Sequence, residues 1–207
     1  MPLFSWLSRI KKYLPCQLCG VDQQYIHSVC KDCWQDLPWK LERIQRHQHT
    51  ILVACDYQFP IDRVIQKFKY NQQLQYQYLL AGCLTRLALP QIDALVPMPI
   101  SRKRLVERGY NQMLLIANIL AKQHRLPIWQ PIIRSQQHAQ KGLSRVERIQ
   151  GIEQQFHPKP KLKQHYARVL ILDDVITTGS SNAALVAQLK AMGCTEVYSA
   201  CISAAHH

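Results

Sequence analysis

The sequence of 207 residues lacks the features of membrane-spanning, exported and disordered chains. No apolar run approaches the roughly 20 residues that a membrane-spanning helix needs. The first stretch, "MPLFSWLSRIKKYLP", places its basic residues after the apolar part and has no small-residue cleavage site, so we do not expect a secretory signal. Apolar residues make up 47% of the chain, which predicts a folded protein.

Acidic residues are scarce, since 13 of them face 26 basic residues and leave a formal net charge of +13. Such an excess favours polyanionic partners, which include nucleic acid, phosphorylated metabolites and anionic membrane surfaces. Four apolar residues recur at helical spacing and predict a short N-terminal helix, with weak membrane-surface contact as the alternative: Leu3, Leu7, Ile10 and Leu14. Free thiols without an export signal predict a cytoplasmic location.

Four of the eight cysteines form two C-x-x-C pairs near the N-terminus. Each pair can direct two sulfurs at one point, and two pairs complete the closed tetrahedral shell of structural zinc. The predicted ligands are Cys16, Cys19, Cys30 and Cys33. Two redox pairs are the alternative, although no strand-then-helix context supports them. His27 lies between the pairs as a possible substitute ligand or a solvated loop residue. The other cysteines are expected in the core: Cys55, Cys83, Cys194 and Cys201.

Two domains are predicted, a zinc module over residues 1–48 and a larger domain over 49–207, with "RHQHT" as the linker. In the larger domain, strands are predicted at "ILVACDY", "IDALVPMP", "RVLILD" and "EVYSACIS", with "PIWQPIIR" as an extended edge. Helices are predicted at "IDRVIQKFKY", "LLAGCLTRLAL", "NQMLLIANILAKQH" and "SSNAALVAQLKAMG". This alternation predicts an α/β fold with a mostly parallel sheet flanked by helices.

The stretch "VLILDDVITTGSS" (169–181) joins a buried strand to a helix N-terminus through acids, hydroxyls and a glycine. Main-chain N–H groups and the helix dipole favour a phosphate there, and Gly179 permits close approach. Asp173 and Asp174 would repel a phosphate, but they can accept hydrogen bonds from the two hydroxyls of a ribose. The stretch therefore predicts a ribose 5-phosphate ligand. A receiver-type acidic pair and a plain strand–turn–helix are the alternatives.

All thirteen positions of this stretch resemble the phosphoribosyl diphosphate (PRPP) loop of type I phosphoribosyltransferases. The resemblance implies that the loop binds PRPP together with Mg²⁺. The implied binding residues are Asp173, Asp174, Val175, Ile176, Thr177, Thr178, Gly179, Ser180 and Ser181.

The four-cysteine module, "LVPMPISRKRLVERGYNQ" and "LILDDVITTGSS" together resemble the ComF family of competence-associated, type I phosphoribosyltransferase-like proteins. "RGYNQ" (108–112) is the strongest second motif. The resemblance implies a diphosphate-binding loop at "VPMPISRKR", for which a solvated basic helix start is the alternative. Its candidates are Ser101, Arg102, Lys103 and Arg104. It also implies a flexible closing loop with the candidates Arg134, Gln140, Arg145 and Arg148. Gly151 departs from the family pattern, where we expect Asn.

The resemblance implies a competence protein that binds single-stranded DNA and PRPP during DNA uptake. DNA-uptake or DNA-processing proteins are further possible partners. The alternative is a catalytic phosphoribosyltransferase of nucleotide salvage, which would displace diphosphate from ribose C1 with a nitrogen nucleophile. No residue set identifies an acceptor base, so the sequence alone leaves both functions open.

Overall fold

The computed structural model describes residues 13–135 and 155–205. The helices in these ranges are α1 (Lys31–Gln35), α2 (Ile61–Tyr70), α3 (Gln77–Thr85), α4 (Arg102–Arg108), α5 (Gln112–His124) and α6 (Ser180–Ala191). The strands are β1 (Trp39–Arg46), β2 (His49–Asp56), β3 (Ala94–Pro97), β4 (Ile132–Arg134), β5 (Phe156–Pro158), β6 (Arg168–Ile176) and β7 (Glu196–Ala204). None of the helices described has the length and apolarity to cross a bilayer.

One five-stranded sheet forms the centre of the molecule, in the order β1-β2-β7-β6-β3. β2, β7, β6 and β3 run parallel to one another, and β1 pairs antiparallel with β2 at the edge. β4 and β5 form a separate antiparallel ribbon. This arrangement confirms the predicted class, a mostly parallel α/β sheet flanked by helices, with a small four-cysteine module before it.

Local sequence explains the elements that surround the site. The apolar run at residues 169–172 is fully buried in β6, as a strand with neighbours on both sides requires. In α2 the apolar residues share one buried face: Ile61, Val64, Ile65 and Phe68. Asn111 caps α5, because its side chain accepts hydrogen bonds from the backbone N–H groups of Met113 and Leu114.

The segment predicted as a linker is instead a β-hairpin turn. Arg46 ends β1, His47 and Gln48 form the turn, and His49 begins β2. The sequence did not predict β1, because "WKLERIQR" is rich in charged residues and β1 lies on the sheet edge, where such residues are tolerated. The domain division at residues 48 and 49 stays a prediction, but residues 39–46 belong to the sheet. β6 also extends to Ile176, beyond its predicted end at Asp173.

The four-cysteine module docks on α3 through His27. This residue is therefore neither a substitute metal ligand nor a solvated loop residue, the two roles that the sequence suggested. Its half-buried ring packs against Trp34, with ring centroids 4.8 Å apart, and lies over Gly82. A Cβ atom on Gly82 would stand 2.4 Å from His27 Cγ, so only glycine accommodates this contact. Of the predicted N-terminal helix, only Tyr13 and Leu14 lie within the described residues, and these two are not helical.

Candidate functional site

A cavity of about 390 Å³ lies at the carboxyl ends of β3 and β6. β3 ends at Pro97, opposite Leu172, whereas β6 continues to Ile176, so the last residues of β6 lack a neighbour on that side. After β3 the chain continues to Ile128, which pairs in parallel with Leu95 on the outer side of β3. After β6 the chain continues to β7, which lies on the other side of β6 from β3. Ligands of open α/β sheets bind at such reversals of strand order.

The loop after β6 leads directly into α6 and forms one wall of the cavity. Gly179 is the N-cap of α6, with a φ of 84°, and it offers no side-chain acceptor to the first turn. By contrast, Ser101 and Asn111 cap α4 and α5 with their side chains. The first-turn N–H groups of α6 are therefore suited to an anionic ligand, beside the exposed Thr177 and Thr178.

The two acids of the site have different surroundings. Asp174 is 5% exposed; Lys69 Nζ lies 2.7 Å from its Oδ1, and Gln112 Nε2 donates to its Oδ2 at 2.9 Å. Burial and the neighbouring Asp174 carboxylate raise the pKa of Asp173 to about 7. Asp174 is thus a fixed, ion-paired acceptor, whereas Asp173 can both accept and donate hydrogen bonds near neutral pH.

Four basic side chains line the cavity: Lys69, Arg104, Arg108 and Arg134. Arg134 is half-buried; its guanidinium donates to Ser181 Oγ at 3.2 Å and to Gln155 Oε1 at 3.3 Å. Burial and the nearby Arg104 lower the pKa of Arg134, although arginine remains charged in proteins. Clustered cations around a helix N-terminus favour a ligand with several negative charges.

The structure brings together part of the predicted sites. The residues of the predicted PRPP loop, from Asp173 to Ser181, all line the cavity. Of the diphosphate candidates, Arg104 lines it, Ser101 accepts from the N–H of Arg104, and the exposed Arg102 and Lys103 do not line it. Of the flexible-loop candidates, Arg134 lines it. The other three lie outside the described residues: Gln140, Arg145 and Arg148.

Sequence reasoning assigned no part in the site to the residues of "RGYNQ", which link the cavity to the neighbouring helices. Arg108 donates to Gln112 Oε1 at 3.0 Å, and Gln112 holds Asp174. The Arg108 guanidinium lies 5.1 Å from the ring centroid of Tyr70, which also lines the cavity. Tyr110 donates through its hydroxyl to the backbone carbonyl of Phe68. The motif was visible in the sequence, but its partners lie far along the chain.

The four predicted metal ligands converge in one cluster. The sulfur atoms of Cys16, Cys19, Cys30 and Cys33 all lie within 4.8 Å of one another. Cys19 Sγ and Cys30 Sγ are 3.9 Å apart. This separation fits the ~3.8 Å between sulfurs of a tetrahedral site with Zn–S bonds of about 2.3 Å. The cluster is therefore positioned to bind a metal ion.

Backbone N–H groups donate to two of these sulfurs and favour the thiolate form that binds a metal ion. The N–H groups of Leu18 and Cys33 each lie 3.4 Å from a sulfur, those of Cys16 and Cys30 respectively. Burial opposes ionisation of Cys16, but backbone N–H groups outweigh it and lower the pKa of this thiol to about 6. Burial and the adjacent sulfurs raise the pKa of Cys33, so full ionisation requires the charge of a bound metal.

Comparison with known proteins identifies relatives over most of the chain. Competence protein F of Haemophilus influenzae is 30% identical over 203 residues, which cover 91% of this chain and 84% of that protein. Competence protein ComFC of Bacillus subtilis is 27% identical, covering 86% and 73%. DNA utilization protein YhgH of Escherichia coli K12 is 27% identical, covering 90% and 82%. No protein-family model matches the chain.

Among solved structures, the glutamine PRPP amidotransferase of B. subtilis, complexed with ADP and GMP, aligns with a TM-score of 0.45 and 16% identity. The alignment covers 66% of this chain and 30% of that one.

Proposed function

Because the chain belongs to the ComF family of competence proteins, we propose that it acts in DNA uptake by binding PRPP and single-stranded DNA. The single observation that carries the PRPP part is the cavity itself. It joins two acids, a helix N-terminus whose N-cap residue is glycine and four basic side chains in about 390 Å³. The cytoplasmic location and the protein partners in DNA uptake or processing stay predictions.

The PRPP site distributes the ligand over three groups of residues. The main-chain N–H groups after Gly179 take the 5-phosphate, and Asp173 with Asp174 accepts the ribose hydroxyls. Arg104 and Arg134 face the diphosphate. Mg²⁺ would be held by Asp173 together with ligand oxygens, and it would neutralise diphosphate charge.

The DNA part rests on the rim of the cavity. Tyr70 is 68% exposed there, and Arg108 lies over its ring. An exposed aromatic ring beside a guanidinium can stack on a base of any type, while basic side chains contact phosphates. Arg102 and Lys103 are exposed on α4 nearby and extend the basic surface.

Zinc is the metal proposed for the four-cysteine cluster, because four thiolates in a closed shell select it. Four protein ligands leave no position for a substrate, so this ion would stabilise the module without taking part in chemistry.

Calorimetry with ribose 5-phosphate and with PRPP plus Mg²⁺ tests the site through Asp173→Asn. If the acids hold ribose hydroxyls, the variant weakens ribose 5-phosphate binding about tenfold, as loss of a charged hydrogen bond does. If the cavity only attracts anions, removing a negative charge tightens binding instead, and the proposal fails. Asp32→Asn, in α1 of the four-cysteine module, is the matched control and leaves both affinities unchanged.

Fluorescence anisotropy with a labelled oligo-dT strand tests the DNA part. Affinity should fall steeply as salt rises, and Tyr70→Ala should weaken it by about 1–3 kcal/mol, the contribution of one stacked base. Tyr25→Ala is the control, since Tyr25 is 71% exposed on the four-cysteine module. A flat salt response contradicts DNA binding through phosphates.

A catalytic phosphoribosyltransferase is the second candidate, and an adjoining cavity favours it. This cavity of about 450 Å³ is largely apolar and shares Ile100 and Arg134 with the sugar-phosphate site. A planar acceptor base fits such surroundings. Release of diphosphate from PRPP in the presence of a panel of bases and amines would establish catalysis, and the absence of release would leave binding as the function.

A further inference from the structure

The hairpin turn between β1 and β2 lies against the loop that joins β6 to α6 (residues 177–179), which we call the sugar-phosphate loop. The turn is on the side of this loop that faces away from the cavity. Arg46 Nε donates to the backbone carbonyl of Thr177 at 3.3 Å, and His47 Nε2 lies 3.2 Å from Ser180 Oγ. The Arg46 side chain also fills the space beside Gly179, where an added Cβ would stand 2.7 Å from Arg46 Cβ. Arg46 and His47 therefore contact three of the four residues at positions 177–180.

The two residues of this turn are poorly suited to its backbone. His47 and Gln48 have φ angles of 45° and 64°, both left-handed. Two-residue hairpins with positive φ at both positions strongly favour Asn-Gly. Left-handed backbone at non-glycine residues persists where something else holds it, often beside a functional site. The His47 contact with Ser180 gives a reason for histidine at this position.

The direction of this hydrogen bond, which depends on the His47 tautomer, decides where the hydroxyl proton of Ser180 can go. A hydroxyl has one proton to donate and accepts at its lone pairs. When His47 Nε2–H donates to Ser180 Oγ, the Ser180 proton is free for another acceptor. Ser180 lines the cavity, and Thr178 Oγ1 lies 3.0 Å from its hydroxyl, so both hydroxyls are held together at the cavity wall.

We propose that Arg46 and His47 are positioning residues that set the loop for a phosphate monoester, with His47 directing the Ser180 hydroxyl proton toward the phosphate. The inference rests on the proposed sugar-phosphate site. Neither side chain lines the cavity, so both act from behind the loop and leave the space for the ligand. Arg46 holds the Thr177 carbonyl on the side of the loop that faces away from the cavity. This contact keeps the carbonyl oxygen away from an anionic ligand.

The test compares His47→Asn with Gln48→Gly by thermal unfolding and by calorimetry with ribose 5-phosphate. Both changes install the residue that the turn favours, so both should maintain or raise the Tm. The Asn amide ends nearer the backbone than His Nε2 and loses Ser180, so affinity should fall about fivefold, as for one hydrogen bond. Gln48→Gly should bind like wild type, and it controls for the relief of backbone strain.

Each other result overturns the inference. Unchanged affinity in His47→Asn shows that the contact does not serve the ligand. A fall in Tm together with affinity shows that His47 merely supports the hairpin. Failure of the wild-type protein to bind ribose 5-phosphate overturns the sugar-phosphate site and the inference together, whereas binding that is insensitive to His47→Asn overturns the inference alone.

Discussion

We expect the effect of Gly82→Ala on protein stability to change sign with the residue present at position 27. In the wild-type chain, the new methyl group meets the His27 ring at 2.4 Å from Cγ and 2.5 Å from Cδ2. The ring cannot easily move, because it also packs on Trp34 at a centroid distance of 4.8 Å. Overpacking of this kind costs about 1–3 kcal/mol.

Gly82 lies inside α3, where alanine is intrinsically better than glycine by about 1 kcal/mol. In wild type the clash outweighs this gain, and Gly82→Ala should destabilise the protein by up to about 2 kcal/mol. In a His27→Ala background the clash is absent, and the same change should stabilise it by up to about 1 kcal/mol.

The measurement is a double-mutant cycle of thermal unfolding, with zinc present throughout. For a chain of this size, 1 kcal/mol corresponds to about 2–4 °C in Tm, so the reversal of sign is resolvable. The docking of the four-cysteine module through His27 would be refuted if Gly82→Ala had the same effect in both backgrounds, because independent sites add.

Three further expectations concern the sites. The raised pKa of Asp173, about 7, penalises folding increasingly as pH rises from about 4 to 7, so Asp173→Asn should stabilise the ligand-free protein more at pH 8 than at pH 4. Lys69→Met leaves the buried Asp174 unpaired and should cost about 3–5 kcal/mol in chemical denaturation. The exposed Lys67→Met should cost under about 0.5 kcal/mol. Chelation of zinc, or Cys16→Ser with metal analysis, should lower both metal content and Tm.

Short-range patterns in the sequence predicted the elements that carry the sugar-phosphate loop. The apolar period of α2 predicted its bounds of Ile61–Tyr70, and an apolar run followed by hydroxyls and Gly179 predicted β6, the loop and α6. The metal cluster was also local, because two residues between paired cysteines determine how the sulfurs meet. In each case the information lies within about one element of the residue concerned.

The rest of the site depends on pairings between distant segments. Gln112 and Asp174 are 62 residues apart, and Arg46 and Thr177 are 131 apart. Nothing near Arg46 indicates that β1 joins the sheet, since its partner β2 is itself placed by β7. The turn at His47 was misread as a linker for the same reason: positive φ at two non-glycine residues has no local signature.

The pairing of Lys69 with Asp174 limits the negative charge that the floor of the cavity offers. One of its two carboxylates is neutralised within the protein, and the other, with a pKa of about 7, is only partly ionised at neutral pH. A lone divalent cation therefore meets less than one full opposing charge, and the three remaining basic side chains of the cavity surround it: Arg104, Arg108 and Arg134. Any such ion should therefore arrive already bound to an anionic ligand and leave together with it.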